Sequence, residues 1–130
     1  MTSANVLAIG LDPQFADFSK MPQFTPELVR AYIDAEIARL RDAGFEVVSC
    51  LIAPDETGIA DVEIALRRKT FACVVIGAGL REPSEHVLVF EKVLNLVHQL
   101  APTAHIAFNT TPADTTKAVQ RWAPLARAGG

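Results

Sequence analysis

Short, nearly continuous apolar runs alternate along the chain with longer stretches in which apolar residues recur every three or four positions. The short runs consist mainly of Val, Ile, Leu and Ala, as is typical of strands covered on both faces of a sheet. They span residues 5–10, 45–52, 71–76 and 105–109. The longer stretches have the spacing of amphipathic helices. The pattern therefore predicts a strand followed by a helix, repeated four times.

Capping and helix-breaking residues mark the first three predicted helices. Thr25 can cap the first helix, and Gly44 is expected to end it, because glycine readily adopts the left-handed conformation of a helix C terminus. The second helix is predicted over residues 57–69 and the third over residues 84–100. The third is the longest of the four.

The last predicted helix carries Ala118, Val119 and Trp122 on its inward face. Pro124 is expected to end it, because proline has no N–H group to continue the helical hydrogen bonds. Residues 124–130 would then form a loose tail.

Strands separated by helices run parallel, and right-handed crossovers place the helices on both faces of the sheet. The two most apolar runs, 5–10 and 71–76, are expected at its centre, which gives the strand order 2-1-3-4. The sequence thus predicts a single three-layer α/β domain over residues 1–130. Its four-stranded parallel sheet would be of the flavodoxin-like or Rossmann-like type.

Composition excludes several classes of partner. The net charge is −3 and the basic residues are scattered, whereas a nucleic-acid-binding face needs concentrated positive charge. No apolar run approaches the ~18 residues of a membrane span. Cys50 and Cys73 lie inside predicted strands and are interpreted as buried thiols, and no motif with metal-ligand spacing occurs. We expect a cytoplasmic protein with no metal and no nucleic-acid or membrane contact.

A ligand site is expected beyond the carboxyl ends of the strands, where the winding of an open parallel sheet reverses. In the order 2-1-3-4 that point lies between the first and third strands, with the end of the fourth alongside. Glycines there let a backbone approach a ligand closely, and a helix N terminus favours an anion. The residues predicted to bind a small anionic or polar ligand are Gly77, Gly79, Arg81, Asn109 and Thr110.

Three charged or titratable side chains near this edge have two interpretations each. Arg81 can hold a carboxylate or phosphate, or pair with a neighbouring acid such as Glu82. Asp12 can act as a base or a metal ligand, or cap a turn with Pro13. His86 can transfer protons near neutral pH, or lie partly buried with its hydrogen bonds satisfied. Asp12 and His86 are therefore the predicted catalytic residues, should a reaction take place.

No motif assigns a cofactor. Gly77 and Gly79 match the first two glycines of a dinucleotide fingerprint, but Glu82 stands where the third belongs. The loop after the first strand, residues 11–14, lacks the serines and threonines of a flavodoxin phosphate loop. Gly77 also ends the strand on which a receiver domain carries its aspartate. NAD, FMN and phosphoacceptor chemistry are all disfavoured, and the cofactor stays unknown.

The connection from the first strand to the first helix is long, since such connections usually take about two to six residues. It carries Phe15, Phe18, Met21 and Phe24, each three positions apart. One interpretation is a lid whose apolar side chains exclude water from a pocket. The other is a flap packed over a helix end or a partner subunit.

Four segments resemble a family of short, uncharacterised α/β proteins. The first three are Gly10-Leu-Asp-Pro13, Val75-Ile-Gly-Ala-Gly-Leu-Arg81, and Phe90-Glu-Lys-Val93 together with Asn95 and His98, and the fourth is Ala107-Phe-Asn-Thr110. The resemblance implies the α/β fold and no particular reaction.

Two functions therefore stay open. The first is binding of a small anionic or polar molecule at the carboxyl edge of the sheet, with or without catalysis. The second is a non-enzymatic, homo-oligomeric interaction domain that buries the aromatic segment against another copy. Leu88 and Leu96 support the second, because they fall outside the inward stripe of the long helix.

Overall fold

The computed structural model describes residues 5–123. Its strands are β1 (Asn5–Leu11), β2 (Glu46–Ile52), β3 (Cys73–Ile76) and β4 (His105–Phe108). Its helices are α1 (Pro26–Asp42), α2 (Glu56–Arg68), α3 (Ala78–Arg81), α4 (Val87–Leu100) and α5 (Thr115–Trp122). Short 3₁₀ turns at Pro13–Phe15, Ser84–His86 and Pro112–Asp114 lie ahead of α1, α4 and α5. The predicted end at Pro124 and the predicted tail over 124–130 lie outside the described residues.

The four strands form one parallel sheet in the order β2-β1-β3-β4. At the centre of the sheet, Ala8 of β1 stands opposite Ser49 of β2 on one side and Val75 of β3 on the other. Val75 in turn stands opposite Ala107 of β4. The predicted fold class, a three-layer α/β arrangement with flavodoxin-like strand order, is confirmed.

The ends of α1 follow the sequence prediction. The Thr25 hydroxyl oxygen accepts a hydrogen bond from the N–H of Leu28 at 3.1 Å and so caps the first turn. Gly44 follows the helix with φ of 100°, a conformation that costs glycine little and other residues more. Thr25 and Gly44 thus set where α1 begins and ends.

Helices cover both faces of the sheet, because successive side chains of a strand point to opposite sides. On one face α2 and α4 pack against large apolar side chains that include Leu7 and Ile76. On the other face α1 and α5 pack against Val6, Val47 and their neighbours. Buried Glu36 of α1 joins these two helices, since its carboxylate accepts the N–H and hydroxyl of Thr116.

Several parts of the predicted helix pattern are wrong, including the expectation that the third predicted helix is the longest, since α1 has 17 residues and α4 has 14. The loop after β3 contains the short helix α3, and α4 begins at Val87 after the turn Ser84–His86 rather than at Ser84. Pro83 separates the two helices because it has no N–H to continue α3. Trp122, predicted to face the core, is 51% exposed and stacks on His105 at the edge of the sheet.

The apolar residues outside the inward stripe of α4 behave differently from each other. Leu88 is exposed, as predicted. Leu96 instead packs, partly buried, against the core between α4 and the sheet, so the prediction that it faces outward is wrong. Of these two leucines, Leu88 is therefore the one exposed to a partner.

Candidate functional site

A cavity of about 330 Å³ lies between the carboxyl half of the sheet and the first half of α1. Its floor is formed by strand residues that face α1, and its wall by Val29, Ile33 and Ile37 of that helix. Ser49 and Met21 also line the cavity and are exposed, which places them at its rim. The cavity therefore sits at the carboxyl edge of the sheet, where the sequence predicted a site.

Small residues on three neighbouring strands create this space. Ala8 and Gly10 of β1, Ser49 of β2, and Gly77 directly after β3 all line the cavity. Further from the carboxyl edge the same face is filled, for example by Val6, which packs in a cluster with α1 and α5. Because protein interiors are otherwise close-packed, a patch of small side chains under a helix leaves a void.

The long connection between β1 and α1 forms the roof of the cavity. Phe18, Met21 and Phe24 line it, and the Phe18 and Phe24 rings lie 6.5 Å apart in a tilted arrangement. Phe15, by contrast, is 44% exposed. We call residues 15–24 the lid, because three of its four large apolar side chains cover the cavity.

Asn109 closes the end of the cavity at β3 and β4. Its side-chain oxygen accepts the N–H of Ala78 at 2.9 Å, and its side-chain nitrogen donates to the Thr115 hydroxyl at 3.0 Å. The Thr115 hydroxyl donates in turn to the carbonyl of Pro112. Asn109 is 7% exposed, so these two bonds hold the loop after β3 against the start of α5.

Thr110, next to Asn109, is tied to the same helix start. Its hydroxyl donates to Asp114 at 2.6 Å, and its N–H donates to the same carboxylate at 2.9 Å. Partial burial acts to raise the pKa of Asp114, but the bonds from Thr110 and Thr111 outweigh it, so that the pKa lies below its ordinary value of 3.8. Thr110 therefore lines the cavity with its hydroxyl already engaged.

Arg81 points away from the cavity, to the opposite face of the sheet. Its guanidinium donates to the backbone carbonyls of Asn109 and Ile76 and lies over the Phe108 ring, 4.7 Å from the ring centroid. These partners belong to β3, to β4 and to the residue after β4. The guanidinium that the sequence offered for an anion is thus engaged with the protein itself.

Asp12 forms an ion pair with Arg30 of α1, at 2.5 Å between the carboxylate and guanidinium. The same carboxylate oxygen accepts the N–H of Gln14 and caps the turn after β1. Partial burial acts to raise the pKa of Asp12, but the bonds from Gln14 and Arg30 prevail, and the pKa is lowered from 3.8. Asp12 is therefore an ionised, paired carboxylate at neutral pH.

The structure brings four of the seven predicted site residues to the cavity. Gly77, Gly79, Asn109 and Thr110 line it. Asp12, Arg81 and His86 do not; His86 lies partly buried in the turn before α4. Whether any of the seven binds a ligand or acts in catalysis stays a prediction.

The wall of the cavity and Ser49 were not among the predicted site residues, whereas the roof corresponds to the lid, one of the two interpretations of the segment that carries Phe15, Phe18, Met21 and Phe24. Val29, Ile33 and Ile37 were assigned only to the inward face of a helix, and Ser49 to the interior of a strand. One signal for them was present in the sequence. Small residues recur at alternate positions of the strands, at Ala8 and Gly10 of β1, and so lie on one face.

The lining of the cavity is uncharged. Among residues 5–123, no side chain that lines it is acidic or basic, and no buried side-chain nitrogen or oxygen lacks a hydrogen-bond partner. Over the same residues, no three His, Cys, Asp or Glu side chains lie together as metal ligands would. Within this part of the chain, most of the cavity surface therefore offers a ligand apolar contact and no free charged or hydrogen-bonding side chain.

The protonation state of the two cysteines and the length of the helices bear on two other functions, thiol chemistry and membrane insertion. Burial raises the pKa of Cys73 to about 11, and burial together with Asp61 raises that of Cys50 to about 11, so both are protonated thiols at neutral pH. None of the helices in the described part of the chain is long and apolar enough to span a membrane.

The fold and the cavity define the class of the protein: a three-layer α/β protein with a lidded, apolar cavity at the carboxyl edge of its parallel sheet. No protein-family model matches the chain, and the curated proteins searched contain no match to it.

Proposed function

We propose that the protein binds a small, uncharged and mainly apolar molecule in the cavity under the lid. One observation supports this most: the lining is mainly apolar, and its polar side chains already hydrogen-bond to the protein, apart from Ser49 at the exposed rim. The volume of about 330 Å³ lies within the usual range for small-molecule sites. Recognition would come from shape and apolar contact.

A charged ligand is a poorer fit than the sequence suggested. Moving an ion from water into an apolar space costs several kcal/mol unless an opposite charge or several hydrogen bonds receive it. Arg81, the cation expected there, is bound to the backbone on the other face of the sheet. Nothing in the lining replaces it among the described residues.

Binding is also better supported than acid–base catalysis. Asp12 and His86 do not line the cavity, and a general acid or base must come within hydrogen-bonding reach of the reacting group. Asp12 is moreover occupied by Arg30. The proposed role is therefore that of a binding protein, such as a carrier or a sensor of its ligand.

A matched pair of fluorescent dyes tests this proposal. N-phenyl-1-naphthylamine is neutral, and 1-anilinonaphthalene-8-sulfonate has the same aromatic skeleton with an added sulfonate. Titration should show saturable binding of the neutral dye and binding of the sulfonate that is weaker by about tenfold or more, a difference of about 1.4 kcal/mol. Equal binding of the two dyes, or tighter binding of the sulfonate, contradicts the proposal.

A substitution that fills the cavity locates the dye. Ala8→Leu places a larger side chain on the cavity floor and should abolish binding of the neutral dye. Ala60→Leu is the matched control, because Ala60 is exposed on α2 and far from the lining residues in the fold. Dye binding that survives Ala8→Leu would mean that the dye binds elsewhere.

Self-association is a second candidate function. Leu28 and Tyr32, one helical turn apart on α1, are 37% and 47% exposed, and Phe15 of the lid is 44% exposed. Exposed apolar side chains next to a lid suit an interface with another copy. Light scattering over a range of concentrations tests it: a mass of 14.0 kDa at every concentration contradicts self-association.

A further inference from the structure

The lid makes only local backbone hydrogen bonds. The N–H groups of Phe15, Met21 and Phe24 each donate to a carbonyl three positions earlier. The N–H of Ser19 donates to the side chain of Asp17. Within the described residues, none of the backbone hydrogen bonds formed by the lid reaches the sheet or a helix. The lid is therefore held over the cavity by its apolar side chains and by its two ends.

The ion pair between Asp12 and Arg30 joins those two ends. Asp12 directly follows β1, and its own N–H donates to the carbonyl of Ile52 at the end of β2, so it is fixed to the sheet. Arg30 belongs to the first half of α1, next to Val29, which lines the cavity wall. The ion pair thus connects the carboxyl edge of the sheet to the wall of the cavity, with the lid between them.

We propose that the Asp12–Arg30 ion pair is a clamp that keeps α1 and the lid closed on the sheet and so controls how often the cavity opens. Opening that carries the lid and the first half of α1 away from the sheet would separate Asp12 from Arg30. A cross-link between the ends of a loop reduces the number of open conformations available to it. The clamp rests on the proposed function in one respect only, namely that a ligand enters when the cavity opens.

The expected size of the effect follows from the exposure of the pair. The Arg30 side chain is 42% exposed and that of Asp12 is 18% exposed, so water screens part of the attraction. Exposed ion pairs of this kind change an equilibrium by about 1.4- to 5-fold. The clamp therefore alters the population of the open form and leaves the fold intact.

Limited digestion with trypsin measures the opening without any ligand. Lys20 is exposed and is the only lysine or arginine in the lid. A protease binds several residues of its substrate in an extended conformation, so cleavage after Lys20 requires the turns on either side of it to open and reports displacement of the lid. When reclosing is faster than cleavage, the rate tracks the population of the open form. Asp12→Asn keeps a good capping residue at the turn and removes the charge, and Arg30→Gln removes the other charge while keeping helix propensity.

Each single variant should be cleaved after Lys20 about two- to five-fold faster than the unmodified protein. The double variant should be cleaved no faster than the quicker single variant, because both substitutions break the same contact. Asp55→Asn is the matched control, since the Asp55 side chain caps α2 and its hydrogen bonds, to the N–H groups of Thr57 and Gly58, involve no residue of the lid; it should leave cleavage after Lys20 unchanged.

Three results would overturn the clamp: no acceleration in either single variant, additive acceleration in the double variant, or equal acceleration in Asp55→Asn. These results are independent of the dye titration, which concerns the proposed function. If the dye fails to bind but the variants accelerate cleavage as expected, the clamp stands and the binding function falls. If the dye binds and cleavage is unaffected, the binding function stands and the clamp falls.

Discussion

On the face of the sheet that α2 and α4 cover, the strands present large side chains such as Leu7, Ile52 and Ile76, each no more than 2% exposed. On the face that α1 covers, a neighbouring position of β1 holds Ala8 and the position directly after β3 holds Gly77, and a cavity of about 330 Å³ remains. The strands are shared, so backbone geometry is not the cause. The difference shows that alternation of large and small residues can fill one face of a sheet and leave a site on the other.

The largest expected effect contrasts truncations on the two faces. Leu7→Ala empties a fully packed position and should lower the free energy of unfolding by about 2–5 kcal/mol. Ile33→Ala, on the cavity wall, should lower it by about 1 kcal/mol, because that side chain already borders empty space. Urea unfolding of both variants measures this. Equal losses would mean that the two faces are packed alike.

Asn109 supports the end of the cavity, and its loss should be the next largest effect. Asn109→Ala leaves the N–H of Ala78 and the Thr115 hydroxyl without this partner and should cost about 1–3 kcal/mol in urea unfolding. Asn95→Ala serves as the control because Asn95 is exposed on α4 and bonds only within its helix. A loss at Asn109 no larger than at Asn95 would refute the bracing role.

Enlarging side chains should change stability in opposite directions on the two faces. Ala8→Leu fills the cavity and should raise the free energy of unfolding by about 0.5–2 kcal/mol. Val74→Leu overpacks a position with 0% exposure on the filled face and should lower it by about 1–3 kcal/mol. Thermal and urea unfolding check the signs. Destabilisation by both variants would argue that no usable space exists under α1.

The smallest expected effect is the pH dependence of the Asp12–Arg30 ion pair. The pKa of Asp12 in the folded protein lies below 3.8. Its stabilising contribution is therefore fully present above that value and is lost as the pH falls through the lowered pKa. The contribution should stay below about 1 kcal/mol.

Comparison with Asp12→Asn isolates this contribution from that of other carboxylates. The difference in unfolding free energy between the variant and the unmodified protein should be constant at neutral pH and should shrink as the pH falls below 3.8. A difference that stays unchanged down to the acid limit of folding would show that the ionised carboxylate is not the stabilising group.

The fold could be predicted because local signals agreed with one another. Apolar runs, the cap at Thr25 and the glycine at Gly44 located the elements, and the alternation of strands and helices required parallel pairing. Gly77 and Asn109 could be assigned to the carboxyl edge for the same reason, since they follow β3 and β4 directly. Trp122 was wrongly predicted to face the core. Helical spacing identifies the inward face of a helix, but it does not show how far along the helix the short edge strand extends.

The chemistry of the site could not be predicted in the same way. Arg81 donates to the carbonyls of Ile76 at the end of β3 and of Asn109 after β4, and Asp12 pairs with a guanidinium 18 residues away. Such partners depend on tertiary placement, and sequence order does not identify them. The cavity could not be predicted from the sequence either. A small residue on a strand is compatible both with a closely packed helix and with empty space, and the position of the helix decides between the two.

A nitrogen–proton correlation spectrum recorded during titration with N-phenyl-1-naphthylamine shows directly where a neutral apolar ligand binds. Binding in the cavity should give saturable shifts at amides around it, such as those of Gly10, Gly77 and Ile33, with little change at Val93 on the filled face. The absence of saturable shifts, or shifts centred on α2 and α4, would contradict the claim that the space under α1 and the lid is a binding site.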